Sequence, residues 1–142
     1  SHHTANNRED MDFLIRELKR HRDKEGLLMA NFVDFDSMYG HRRNAQGYAQ
    51  CLEDFDAMLG ELLPLLQDDE LLMITSDHGN DPTMSGTDHT REKVPLVAYS
   101  PGLTESTDLG TRKTFADLGQ TIMDNFDAGK LPFGTSFLND LK

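Results

Sequence analysis

Leu71-Leu72-Met73-Ile74-Thr75-Ser76-Asp77-His78-Gly79-Asn80-Asp81-Pro82 is the stretch on which the reading of this chain turns. Its first five residues form a short apolar run of the length and composition of a strand buried on both faces. The run then gives way to a carboxylate, an imidazole and a cluster of turn formers. Ligands of open α/β sheets gather outside the carboxyl ends of strands, which is where Asp77 and His78 fall. Asp, Gly, Asn and Pro also favour turns for purely local reasons, so the run alone reads equally well as a cap and turn. What surrounds it has to decide.

Two further apolar runs resemble strands. Leu27–Val33 is continuous enough to be buried on both faces, and Val94–Tyr99 is stopped by Pro101-Gly102. Helical patterns lie between them. Asn7, followed by Glu9 and Asp10, predicts a capped amphipathic helix carrying Met11, Leu14, Ile15 and Leu18 and ending near Gly26. From Asn44 a second helix carries Tyr48, Leu52, Phe55, Leu59, Leu62 and Leu66, and Pro64 must end or kink it. Thr114 to Asp117 has the form of a capping box for a third, with Phe115, Leu118, Ile122 and Phe126, and the tail from Gly129 is irregular. Strands alternating with helices, without internal repeats, predict an α/β domain with a mainly parallel sheet flanked by helices.

Against that frame the polar residues fall into a pattern. Asp36 and His41 follow the first apolar run, Asp77 and His78 the second, and His89 precedes the third, so the five are expected on one rim of the sheet. A single loop histidine is usually just solvated. Five oxygen and nitrogen donors at strand ends, with no thiolate nearby, instead suit a divalent ion, and both Mn²⁺ and Zn²⁺ are admissible.

Composition narrows the classes. The 142 residues, 37% hydrophobic, suffice for one globular unit with a core. A formal charge of −11 disfavours nucleic acid or an anionic membrane as partner, and most of the acids read as a solvated face. The lone Cys51 excludes an internal disulfide, and no apolar run is long enough to span a bilayer. A cytoplasmic protein is expected. The chain opens on Ser1-His2-His3 without an initiator Met or a signal-peptide pattern, which suggests sequence upstream; no ligand role is expected of His2 or His3.

Two long motifs carry a resemblance. Asn31 to Arg43, containing Asp34, Asp36, Tyr39, Gly40 and His41, then Gly47-Tyr48, is similar to a signature stretch of the phosphopentomutases of the alkaline phosphatase superfamily. Thr75 to Pro82 followed by Gly86-Thr87-Asp88-His89-Thr90-Arg91-Glu92 is similar to their second. Phe115 to Gly119 and Gly134 to Leu138 resemble the end of that family's sequence, so the likeness runs from Asn31 to the terminus and more loosely before it.

The resemblance implies that residues 1–142 are the C-terminal segment of a metal-binding catalytic core, an alkaline-phosphatase-like domain present in part. The N-terminal core strands and the cap domain would lie upstream. It implies two Mn²⁺ ions, with Asp77 and His78 as ligands of one and Asp36, His41 and His89 of the other. It further implies a pentose phosphate substrate, ribose 1-phosphate and ribose 5-phosphate being interconverted through a phosphothreonine and a bisphosphate. The nucleophilic threonine belongs upstream, since Thr75, Thr87 and Thr90 match other parts of the motif. Asp34, Asp81 and Asp88 stand either as carboxylates orienting histidines or as turn and cap residues. Arg42, Arg43 and Arg91 stand either as holders of phosphate or, the reading preferred, in structural salt bridges, and no reactive role is expected of Cys51. Cofactor-independent phosphoglycerate mutases share the Asp-His-Gly-Asn run and resemble the chain less. A non-catalytic metal-binding domain is the alternative from another class.

Overall fold

The computed structural model describes residues 3–142, so Ser1 and His2 lie outside the described residues and His3 is exposed at their edge. The chain divides into two compact units where its length suggested one: residues up to Leu65 with His78–Val94, and Leu66–Asp77 with Pro95–Lys142. Length limits how much core can be buried but not how it is partitioned.

The first unit begins with helix α1, Asn7–Arg20. Its cap is Asn6, whose side chain accepts from the Glu9 N–H at 3.0 Å, and not Asn7 as the sequence suggested. Either asparagine suits the role chemically; tertiary contacts decide. Asn7 is buried and pairs reciprocally with Asp34, its N–H donating to Oδ2 at 2.9 Å and its Oδ1 accepting the Asp34 N–H at 3.1 Å. Met11 is fully buried on the inner face, and the helix stops at Arg20, well short of the end expected near Gly26.

Leu27–Val33, expected as a strand buried on both faces, is neither. It takes no strand conformation, and Met29 is 88% exposed. Apolar periodicity can propose a strand but cannot supply the neighbour whose N–H and C=O groups complete the ladder. Helix α2, Ala45–Leu62, starts where predicted, with Asn44 accepting from the Gly47 N–H at 2.9 Å. It passes into a 3₁₀ turn, Leu63–Leu65, at Pro64. Its buried stripe is Cys51, Met58 and Leu62, while Leu52 faces outward. Instead of lying on a sheet, this face meets aromatic rings: Phe55 packs edge-on to Phe32 at 5.0 Å and to Phe35 at 5.6 Å between centroids.

The second unit holds the strands. Strand β1, Leu72–Thr75, pairs with β2, Leu96–Tyr99, in a two-stranded sheet whose register runs from Leu72↔Tyr99 to Thr75↔Leu96. The pair is antiparallel, which corrects the expectation of a parallel arrangement. Parallel neighbours need a crossover, usually a helix, and no helix lies between Thr75 and Leu96. Helix α3, Ala116–Asn125, buries Asp117, Gln120 and Thr121 and leaves Phe115 and Phe126 largely exposed, against the apolar stripe predicted for it. Its partner is the C-terminal stretch. The Thr121 hydroxyl donates to the Asp117 carbonyl and accepts the N–H of Phe137, a residue with no exposed surface. Asp117 receives Arg112 Nε at 3.1 Å and the Thr135 N–H at 2.9 Å, so its buried charge is compensated. Helices with a small sheet make the chain α/β.

Candidate metal centre

The first half of the centre is built on a π-turn, Phe35–Gly40. The His41 N–H reaches the Asp36 carbonyl and the Asn44 N–H the Tyr39 carbonyl, each at 3.0 Å and each spanning five residues. In an α-helix, positions five apart point roughly 140° away from each other. The wider ring brings residue 41 back over residue 36, and His41 Nε2 stands 3.3 Å from Asp36 Oδ2.

The second half is the loop His78–Val94. An antiparallel bridge between Gly79 and Thr90, with the Thr90 N–H on the Gly79 carbonyl at 3.1 Å, closes it near its ends. His78 and His89 adjoin the two bridged residues, and their rings stack with centroids 3.6 Å apart. Gly79 is needed for this closure, since a Cβ there would lie 2.8 Å from the Glu92 nitrogen and 2.9 Å from the Thr90 carbonyl oxygen.

Four of the five expected ligands meet in this unit. Asp36 Oδ1 lies 3.3 Å from His89 Nε2 and 4.0 Å from His78 Nε2, while the Nε2 atoms of His41 and His89 are 3.0 Å apart. Asp36, His78 and His89 by themselves offer three donor atoms within 4.8 Å of one another. The tautomers follow from the partners. His41 Nδ1 faces the Thr87 carbonyl at 2.5 Å and His78 Nδ1 the Gly79 carbonyl at 3.1 Å; a carbonyl only accepts, so both Nδ1 atoms carry hydrogen. A proton on Nδ1 makes Nε2 the basic nitrogen of a neutral imidazole, and in both rings Nε2 is the atom on the Asp36 side. An ion bonded to its donors at about 2.1 Å has neighbouring donors about 3.0–3.4 Å apart, which the three closest separations match. The donor set therefore fits a divalent ion.

Asp77, the fifth expected ligand, stands two residues beyond β1 and closes its segment of the second unit. The remaining polar residues of the motifs have local duties. Asp34 holds Asn7. Asp81 accepts from the Thr83 hydroxyl and N–H, an Asx-type turn that holds its carboxyl below the usual range. Thr90 donates to Glu92 and accepts the Asp81 N–H, and the Thr75 hydroxyl donates to the Pro95 carbonyl. Cys51 is buried beside Asn7, in keeping with the absence of a reactive role.

Two residues at the centre escaped the sequence reading. Asn80 Nδ2 donates to Asp36 Oδ1 at 2.6 Å, and Arg43, expected in a salt bridge, instead spends its guanidinium on carbonyl and amide oxygens. Asn80 lay within the quoted run and was passed over as a turn former. Nothing local marks an arginine as a carbonyl clamp.

A family profile described as the Metalloenzyme superfamily matches residues 1–130. This chain belongs to that superfamily. Membership and the donor set together make it a divalent-metal-binding member, and its mixture of helices with a small sheet is that of an alkaline-phosphatase-like α/β domain present in part. The chain is 50% identical over 142 residues to the phosphopentomutase of Levilactobacillus brevis, covering all of itself and 35% of that protein. It thus spans about a third of the length of the curated relative it matches. No helix among the described residues is long and apolar enough to cross a membrane.

Proposed function

We propose that this chain is the metal-ligand-bearing segment of a phosphopentomutase, a cytoplasmic enzyme interconverting ribose 1-phosphate and ribose 5-phosphate with two Mn²⁺ ions. The observation that carries the reading is the meeting of Asp36, His41 and His89, with donor atoms 3.0–3.3 Å apart, in a chain half identical along its whole length to a protein of that name. Asp36, His41 and His89 hold one ion. Asp77 and His78 contribute to the other, together with groups outside these residues.

Bound ions of this kind neutralise charge on the transferring phosphoryl group and lower the pKa of a coordinated hydroxyl. The chain's own residues prepare that environment. Carbonyl partners fix the tautomers of His41 and His78, and Asp36 supplies the negative charge that favours a cation among the imidazoles. The resemblance puts the phosphoryl acceptor on a threonine outside this chain, since Thr75, Thr87 and Thr90 match other parts of the motif. From the phosphothreonine the group passes to the free hydroxyl of the sugar monophosphate, the threonine O–P bond breaking as the sugar O–P bond forms and the threonine oxygen taking the proton. The bisphosphate then gives its other phosphoryl group to the threonine, whose proton goes to the sugar oxygen released.

The test is conversion of ribose 1-phosphate to ribose 5-phosphate by the complete protein, with Mn²⁺ and a sugar-bisphosphate primer, beside the same assay on phosphoglycerates. Turnover of the pentose phosphates, lost by two orders of magnitude or more in His89→Ala, is expected. Turnover of phosphoglycerates alone would favour the related mutases, and metal uptake without either activity a non-catalytic domain.

A further inference from the structure

Arg43 touches none of the donor atoms, yet its bonds reach most of them at one remove. Its NH1 donates to Asn80 Oδ1 at 2.7 Å, to the Asp81 carbonyl at 2.8 Å and to the Gly40 carbonyl at 3.2 Å. Its Nε and NH2 donate to the carbonyls of Gly86 and Asp88. The residue sits in the left-handed region, at φ 51°, an uncommon place for an arginine and one that aims its side chain back across the π-turn.

The chemistry of the amide gives these contacts a direction. A guanidinium only donates, so Asn80 must turn its oxygen toward Arg43. Its Nδ2 is then left facing Asp36, and an ionised carboxylate only accepts. The order Arg43→Asn80→Asp36 has one self-consistent orientation, and the flipped amide would set an NH₂ against the guanidinium and an oxygen against the carboxylate. Gly40 leaves room for it: a Cβ there would come within 2.7 Å of Asn80 Cγ. The same arginine braces the peptides on either side of Thr87, whose carbonyl fixes the His41 ring, and one of those carbonyls belongs to Asp88, next to His89.

We propose that Arg43, acting through Asn80 on Asp36 and through the 86–88 backbone on His41 and His89, is the positioning residue that sets the affinity of this centre for a divalent cation. The inference rests on the metal-binding reading above. Groups that orient metal ligands typically change affinity about 10- to 100-fold when removed. Lysine cannot replace Arg43, because one ammonium cannot reach oxygens spread around a planar fork.

Mn²⁺ affinity of the complete protein, measured by calorimetric titration, tests this with Arg43→Lys, Asn80→Ala, the double variant and Arg42→Ala as an exposed control. The thermal midpoint of each in chelator reports stability without metal. Expected are losses of about 10- to 100-fold in both single variants, a double variant no weaker than the weaker single, and an unchanged control. Should Arg43→Lys not fold, Asn80→Ala retains every backbone bond of Arg43 and reads the Asp36 branch alone. Wild-type affinity in a folded Asn80→Ala or Arg43→Lys overturns the proposal, as do additive losses matched by equal losses of metal-free stability. A wild-type protein that takes up no Mn²⁺ overturns the metal-binding reading itself.

Discussion

At the scale of single residues, the clearest physical shift belongs to a group outside the metal centre. Burial pushes the Cys51 thiol up to about 11 from its ordinary 9.0, with the carboxylates of Asp34 and Asp54 adding to the effect. The fold thus favours the neutral thiol. Its contribution to stability is fully present below about pH 9 and is lost as pH rises toward 11, the interval in which an unfolded cysteine ionises and the folded one resists. Urea unfolding midpoints between pH 8 and 11 should therefore fall more steeply for the wild type than for Cys51→Ala, and parallel curves would count against this account. The cysteine should also resist alkylation at neutral pH, since thiolate is the reactive form. Residue identities at the metal centre were legible for a related reason: Asp36, His41, His78 and His89 announce their chemistry by type. Arg43 did not, because its role depends on five oxygens that no spacing rule brings together.

At the scale of elements, the helices and the two strands that form were readable, and the pairing of the strands was not. The start of α2 at Asn44 and its end at Pro64 are local events, settled by a cap and by a missing N–H. The fate of Leu27–Val33 and the direction of β2 depend on partners, and pairing leaves no trace in one strand's periodicity. The buried face of α3 was misjudged for another reason: it is polar, held by hydrogen bonds where apolar burial was expected. Thr121→Val tests that packing. The change keeps the shape, removes the hydroxyl and leaves the Phe137 N–H without its partner in a buried setting, which costs about 1–3 kcal/mol. Hydrogen exchange at the Phe137 amide should accelerate correspondingly, whereas unaltered protection would show that the C-terminal stretch is held by other means.

At the scale of the whole molecule, a chain with a formal charge of −11 that gathers imidazoles around a carboxylate should gain from a cation. A ligand that binds only the folded state stabilises it by about 2.7 kcal/mol at a hundred times its Kd. Mn²⁺ should accordingly raise the thermal midpoint of the complete protein by several degrees, reversibly with chelator. Asp36→Ala should abolish the gain from the tighter ion, because that position then keeps only His41 and His89, while Asp77→Ala should leave it. The opposite ranking would reassign the ligands. The π-turn adds a constraint of another kind. Asp36 and His41, five positions apart, share a face because the ring that joins them is widened. Inserting one more residue between them turns the imidazole away even if every donor is retained, whereas deleting one lets the ring close to an ordinary α-turn that again puts the two on one face. In that segment related sequences should differ by replacement and hardly ever by an added residue, so an alignment that needs an insertion between these two positions describes a chain with another site.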